Sequence, residues 1–290
     1  MKIKDRADYA YYIYAVVIVL IAAMFVLFPT ALHYITSNLH QEARSGNDWM
    51  VKVFLRMGHD VNQKNESNHK TPLHDAVDEW NTTTMELLID READIKAKTK
   101  NGHTPLHIAM LSLKDRRQTD TGVIFVHGPC NPDAVEILLD AGADPNERVG
   151  EKGRTAFQLA LTQQCREEVI KMLIEAGAQP HLTVEYDPPQ NPNIYTWTSV
   201  HFAAVYGSPD VFEMVVKASD YTVYNKTNQP SKLVDVKDNF GNTAMDILVG
   251  QIVHYMHHDV SESQCSRYKE KFRILARAGA DTTRAREVLE

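Results

Sequence analysis

Thr71-Pro72-Leu73-His74-Asp75-Ala76 is followed 33 residues later by Thr104-Pro105-Leu106-His107-Ile108-Ala109, and that repetition decides the fold. A period of this length built around T-P-L-H-x-A predicts a stack of two-helix units. The threonine hydroxyl can cap free amides at a helix start, and proline in the first turn forgoes an N–H that would have no partner there. Degraded copies follow at Thr155-Ala156-Phe157-Gln158, Thr198-Ser199-Val200-His201 and Thr243-Ala244-Met245-Asp246. The five threonines are separated by 33, 51, 43 and 45 residues, so the period is broken by insertion and not by loss. The second half of the unit recurs at Met85 to Asp94, Val135 to Asp144, Val169 to Ala178 and Phe272 to Asp281. Its paired leucines and isoleucines supply an apolar helix face, and Gly142, Gly177 and Gly279 supply a left-handed residue to end it. A two-helix unit cannot bury its own apolar face, so stability must come from its neighbours.

These residues resemble ankyrin repeats from about Leu39 to Asp281, with Leu39 to Asn62 as an opening repeat that lacks the Thr-Pro phrase. The expected fold is an all-α ankyrin-repeat solenoid of about six helix-turn-helix repeats across residues 38–290. The resemblance implies that the imidazoles of His74, His107 and His201 hydrogen-bond backbone in the turns between repeats. It also implies a concave binding groove made by the turn before each threonine and the residues after the first helix. Carried over position by position, the groove receives Lys70 and Glu79 from the second repeat and Lys100, His103 and Leu111 from the third. The fourth gives Lys152 and Arg154, the fifth Tyr195, Trp197 and Tyr206, and the sixth Phe240. The four aromatic residues are expected on neighbouring ridges, where such side chains make binding hot spots; the alternative is that they pack against the insertions. Those insertions run over residues 114–129, 183–196 and 220–235, and the prolines of the second (Pro188, Pro189, Pro192) suggest a semi-extended arm.

The first 35 residues differ from the rest. Tyr9 to Phe28 is 20 residues without a formal charge, long enough as a helix to span roughly 30 Å of hydrocarbon. Four tyrosines crowd its front, and Pro29 closes it. Lys2, Lys4 and Arg6 precede it, whereas Arg44 is the only Lys or Arg between Phe28 and Lys52. That asymmetry predicts a cytoplasmic tail (1–8), a transmembrane signal-anchor (9–32) in the inner membrane, and a periplasmic or otherwise extracytoplasmic repeat domain. A cleaved signal peptide is the competing reading, but its apolar core would normally be shorter.

The chain carries a formal net charge of −7, which disfavours nucleic acid as a partner because counterion release needs clustered Lys and Arg. The one dense basic run, Lys114 to Arg117, is short and reads as a solvated loop. Of the three cysteines, Cys130 and Cys165 each lie twelve residues before a repeat glycine (Gly142, Gly177) and so occupy equivalent places. Equivalent atoms in stacked repeats should lie roughly 8–10 Å apart, and a disulfide wants Cα atoms closer than about 7 Å. Free thiols are therefore expected unless the backbone is locally distorted.

No nucleophile elbow, phosphate-binding glycine loop or zinc-peptidase helix occurs, so no catalytic, cofactor-binding or metal residues are assigned. His254 and His258 share a helical face, near His257 and Cys265, but without a suitably spaced carboxylate they read as a solvated helix end. Topology and binding fold together make the chain similar to immunity proteins that neutralise a toxic effector from a neighbouring cell, such as a type VI secretion phospholipase. The runner-up is a non-catalytic scaffold that tethers one of the cell's own periplasmic proteins.

Overall fold

The computed structural model describes residues 38–111, 116–119, 122–125, 130–150, 152–186, 195–219, 222–224, 230–257 and 262–283. Among these residues twelve α-helices form six consecutive pairs: α1 (Leu39–Ser45) and α2 (Asp48–Arg56), α3 (Pro72–Asp78) and α4 (Thr82–Ile89), α5 (Pro105–Leu111) and α6 (Pro132–Asp140), α7 (Ala156–Thr162) and α8 (Glu167–Glu175), α9 (Ser199–Tyr206) and α10 (Pro209–Ala218), and α11 (Ala244–His257) and α12 (Glu262–Arg277). Each odd-numbered helix packs on the next odd-numbered one and each even-numbered helix on the next even-numbered one, giving two layers. Between the layers lies one continuous core, with Leu73, Leu106, Phe157 and Phe202 from the first helices and Leu88, Leu138, Leu173 and Phe212 from the second, all fully or almost fully buried. Each such side chain contributes about 2–3 kcal/mol of burial. Because its partners come from adjacent repeats, the unit of stability is the pair of neighbours.

The all-α expectation needs correction. Each insertion carries a two-stranded antiparallel hairpin: β1 (Arg116–Thr119) with β2 (Gly122–Phe125), β3 (Val184–Tyr186) with β4 (Tyr195–Trp197), and β5 (Thr222–Tyr224) with β6 (Pro230–Lys232). Their β-branched and aromatic residues suit a pleated strand, but runs of three or four residues are too short to announce a period in sequence. The proline-rich centre of the second insertion and the apolar stretch expected to form an anchor both lie outside the described residues. Among the described residues no helix is long and apolar enough to cross a membrane.

A buried polar relay joins the repeats. In the second repeat His74 Nδ1 accepts from the Thr71 amide (3.1 Å) and hydroxyl (2.8 Å), which leaves the proton on Nε2 to donate to the His103 carbonyl at 3.2 Å. His107 bridges from Thr104 to the Glu147 carbonyl in the same way, and His201 from Thr198 to the Asn242 carbonyl. In the fourth repeat Gln158 does the same work, its Oε1 accepting from the Thr155 amide and its Nε2 donating to the Leu182 carbonyl at 2.6 Å. Asp246, in the last repeat, accepts from the Thr243 amide and hydroxyl. Its carboxylate thus fills the acceptor half of the role that His and Gln play in the preceding repeats. The first junction is built differently. Asp75, 1% exposed, accepts from His40 Nδ1 (2.7 Å) and Arg44 Nη2 (2.8 Å). Burial pushes its carboxyl up, but the hydrogen bonds from His40 and Arg44 outweigh this and hold it below the ordinary value.

Cys130 and Cys165 are joined by a disulfide, with Cα atoms 5.6 Å apart. The expectation of free thiols fails here because the two turns approach more closely than the helix spacing, with Cys130 in a left-handed conformation (φ +77°) just before α6. The bond staples the third repeat to the fourth, and Cys265 remains a free thiol.

Two outcomes follow from these junctions. Burial pushes His74, His107 and His201 down from 6.5 to about 4, so the unfolded chain binds more protons between those values. Stability is therefore full above pH 6.5 and is lost as pH falls toward 4, by on the order of 3 kcal/mol per site. Urea unfolding measured across this window should show the loss, and replacing all three histidines by Gln, the residue the fourth repeat already uses, should flatten it. Alkylation of the denatured, unreduced chain should find one reactive thiol. The Cys130→Ser/Cys165→Ser variant should lose about 3–4 kcal/mol of stability for a cross-link over 35 residues. Three reactive thiols in protein purified without reductant would contradict the bond.

Candidate functional site

Between the turns that lead into α5 and α7 the surface sinks into a basin of about 820 Å³. Lys98, Lys100 and His103 line it from the first turn, Arg148, Lys152 and Arg154 from the second, and Leu111, Val149 and Leu159 form the apolar part. Val149 and Leu159 are buried and Leu111 is half-buried. Five of the lining side chains are cationic and none is a carboxylate, in a chain whose net charge is −7.

Glycine lets the two turns approach. Gly102 and Gly150 have φ of +80° and +67°, and a Cβ at Gly102 would come within 3.3 Å of the Gly150 amide nitrogen. Val149 and Arg154 exchange backbone hydrogen bonds of 3.0 and 3.1 Å, which ties the two together beside the basin. The Lys100 amide donates to the Asn68 carbonyl at 2.8 Å and ties this turn to the one before it. Across the rim Lys98 Nζ pairs with Glu147 Oε1 at 2.5 Å, and that hydrogen bond holds the Glu147 carboxyl below its ordinary value. Both side chains are more than a third exposed, so the pair positions the rim more than it stabilises the fold. Arg148 Nη1 donates to the Thr183 carbonyl at 3.1 Å, which fixes its guanidinium toward the following repeat. His103 lies near-parallel to His107 with centroids 6.4 Å apart, and burial lowers its pKa, leaving it neutral at pH 7.

Lys100, His103, Leu111, Lys152 and Arg154 are thus brought together from the residues expected in the groove. The others are not part of this basin. Lys70 binds Asp78 at 2.6 Å within the second repeat, and Glu79 is half-buried at the C-terminal end of α3. The expected aromatic ridge does not form. Trp197 is only 7% exposed, its ring 6.2 Å from that of His201 and edge-on to Phe202 at 5.3 Å, in a strand that pairs with β3. It occupies the place that His103 holds in the third repeat, but the insertion builds β3 beside it and removes it from water. Tyr206 lies at the opposite end of α9, beside Gln164, Arg267 and Lys271. There Lys271, 3% exposed, donates to the Ala204 carbonyl at 2.8 Å, and burial pushes its pKa down to about 8. Phe240 is 51% exposed in the turn before α11. Tyr195 belongs to β4, where its backbone pairs with Tyr186.

Sequence reasoning missed Lys98 and Arg148, which come from the ends of the preceding repeats and not from the turn phrase itself. The signal available was the density of Arg148, Lys152 and Arg154 around Gly150 and Gly153. Among the described residues no group of three or more His, Cys, Asp or Glu is placed to hold a metal ion. His254 is exposed, and His258 lies outside the described residues.

A family model for ankyrin repeats matches residues 39–119 and 124–228. The chain belongs to the ankyrin-repeat family. A putative ankyrin repeat protein of Fowlpox virus is 46% identical over 56 residues, 19% of this chain and 9% of that protein. The nuclear factor NF-kappa-B p105 subunit of Gallus gallus is 27% identical over 157 residues, 46% of this chain and 15% of that protein. A transient receptor potential cation channel subfamily A member 1 homolog of Caenorhabditis elegans is 34% identical over 124 residues, 43% of this chain and 9% of that protein. The chain therefore spans only a small part of these relatives. Among solved structures, a predatory endopeptidase from Bdellovibrio bacteriovorus in complex with an immunity protein contains a chain that matches with a TM-score of 0.55 and 17% identity, over 83% of this chain and 98% of that one. At that identity the likeness is one of fold.

The burial of Trp197 changes what its removal should do. Trp197→Ala should cost about 3–5 kcal/mol in chemical denaturation, whereas Phe240→Ala should leave stability within about 0.5 kcal/mol.

Proposed function

We propose that this chain is an immunity protein: a non-catalytic ankyrin stack, anchored through residues 9–32 and facing the periplasm, that grips a toxic enzyme from a neighbouring cell and blocks it. The observation that carries the reading is the basin, in which five cationic side chains from two neighbouring turns surround an apolar floor. Such a surface suits a protein segment that offers carboxylates around an apolar anchor. Clustered charge of one sign steers an oppositely charged partner into place, and the apolar floor lowers its rate of escape. The fold-level likeness to the complex of an endopeptidase with an immunity protein supports the same role. The Cys130–Cys165 disulfide supports an oxidising compartment outside the cytoplasm, since such bonds rarely persist in the cytosol. A neutraliser fixed at the membrane stands where a lipid-attacking enzyme works, so a secreted phospholipase is the effector class proposed.

The test uses the product of the adjacent reading frame. Co-expression should rescue cells from that product in the periplasm, and the purified pair should bind in calorimetry. Lys100→Glu/Lys152→Glu should weaken binding by at least about tenfold and reduce its salt dependence, with the melting temperature unchanged. Binding unaffected by the double reversal removes the basin from the interface, and absence of both rescue and binding removes the immunity reading.

A further inference from the structure

An end repeat of a solenoid needs a polar outer face because no neighbour covers it, yet the first repeat of this chain exposes two large apolar side chains. Trp49 is 65% and Met57 59% exposed, and Phe240, the other large exposed hydrophobic among the described residues, belongs to the last repeat. Both lie on one side of α2. That helix buries Met50, Val51 and Phe54 against the stack. At 100° per residue, positions 49, 52, 53, 56 and 57 fall together on an opposing arc about 140° wide. Lys52 and Arg56, both exposed, form one edge of the arc, and Trp49, half-buried Val53 and Met57 form the rest. No carboxylate interrupts it, and the neighbouring Asp48 is engaged by the Thr84 hydroxyl.

We propose that this face of α2 is a docking surface for an anionic lipid leaflet, with Trp49 and Met57 at headgroup depth and Lys52 and Arg56 on lipid phosphates. The proposal rests on the reading of residues 9–32 as a membrane anchor. Tryptophan favours the membrane interface, and Lys and Arg beside it favour anionic headgroups. Phe28, the last residue before the Pro29 that closes the apolar stretch, lies ten residues before Asn38, the cap of α1. Ten residues span at most about 35 Å, so the anchor would hold the first repeat close to the leaflet. At that effective concentration a contact too weak to recruit a free domain suffices to orient a tethered one. Fixing the first repeat would direct the remaining five away from the membrane.

Full-length protein and its Trp49→Phe variant, reconstituted into vesicles of phosphatidylcholine alone or with 30% phosphatidylglycerol, distinguish the outcomes. Emission from Trp49, taken as the difference between the two proteins, should fall at least about twofold when brominated lipid is included in the anionic vesicles. Lys52→Glu/Arg56→Glu should abolish most of that quenching. A chain that resists alkaline carbonate extraction but shows no bromolipid quenching at Trp49 overturns the docking face and leaves the anchor standing. A chain that carbonate extracts, but whose Trp49 is still quenched in anionic vesicles, supports the face and sinks the anchor. A chain with no vesicle association overturns both.

Discussion

The fold depends on one buried side chain in each of the second to fifth repeats, three residues after the threonine, which must satisfy two turns at once. His74, His107 and His201 accept from their own threonine through Nδ1 and donate to the next repeat's turn through Nε2, so only the neutral imidazole with its proton on Nε2 fits. Buried backbone carbonyls need partners, and this donor supplies one at each internal junction from the second repeat onward. Gln158 meets the same double requirement because an amide also carries an acceptor and a donor. Asp246, which can only accept, keeps the threonine contacts in the sixth helix pair.

The two ends of the stack solve the same problem with charge. At the first junction the imidazole route is replaced by Asp75, held by His40 and Arg44, and the cost of burying a carboxylate is offset by two charge-assisted hydrogen bonds. Near the other end Lys271 reaches across to cap the last turn of α9 at Ala204. Between these ends the solenoid is rigid enough to hold two successive turns as the walls of a basin, and the disulfide pins together the two repeats that supply it. The basin thus lies between the two repeats that the disulfide staples together.

Much of this was legible from residue types alone. The helix pairs and the left-handed glycines at 142, 177 and 279 follow from local rules applied at a fixed spacing, and the bridging role of the histidines was implied by the family resemblance. The basin was half legible: the resemblance brought Lys100, His103, Leu111, Lys152 and Arg154 to one side of the stack, but Lys98 and Arg148 reach the basin from outside the repeated phrase. The aromatic cluster was misread for a related reason. Trp197 and Tyr206 are neighbours in the repeat pattern, yet they stand at opposite ends of the eight-residue helix α9, one buried under a hairpin and the other beside Lys271.

The sequence by itself determined the repeat, its helices and the threonine half of its polar relay, because caps, apolar spacing and a side chain three residues from its threonine act over a few residues. Tertiary structure alone decided what the insertions cover and what the kinks bring together. The turns at Cys130 and Cys165 come within disulfide reach, and Trp197, paired with Val184 of β3, is out of water. Both outcomes depend on the relative placement of segments more than ten residues apart, which no local spacing rule encodes.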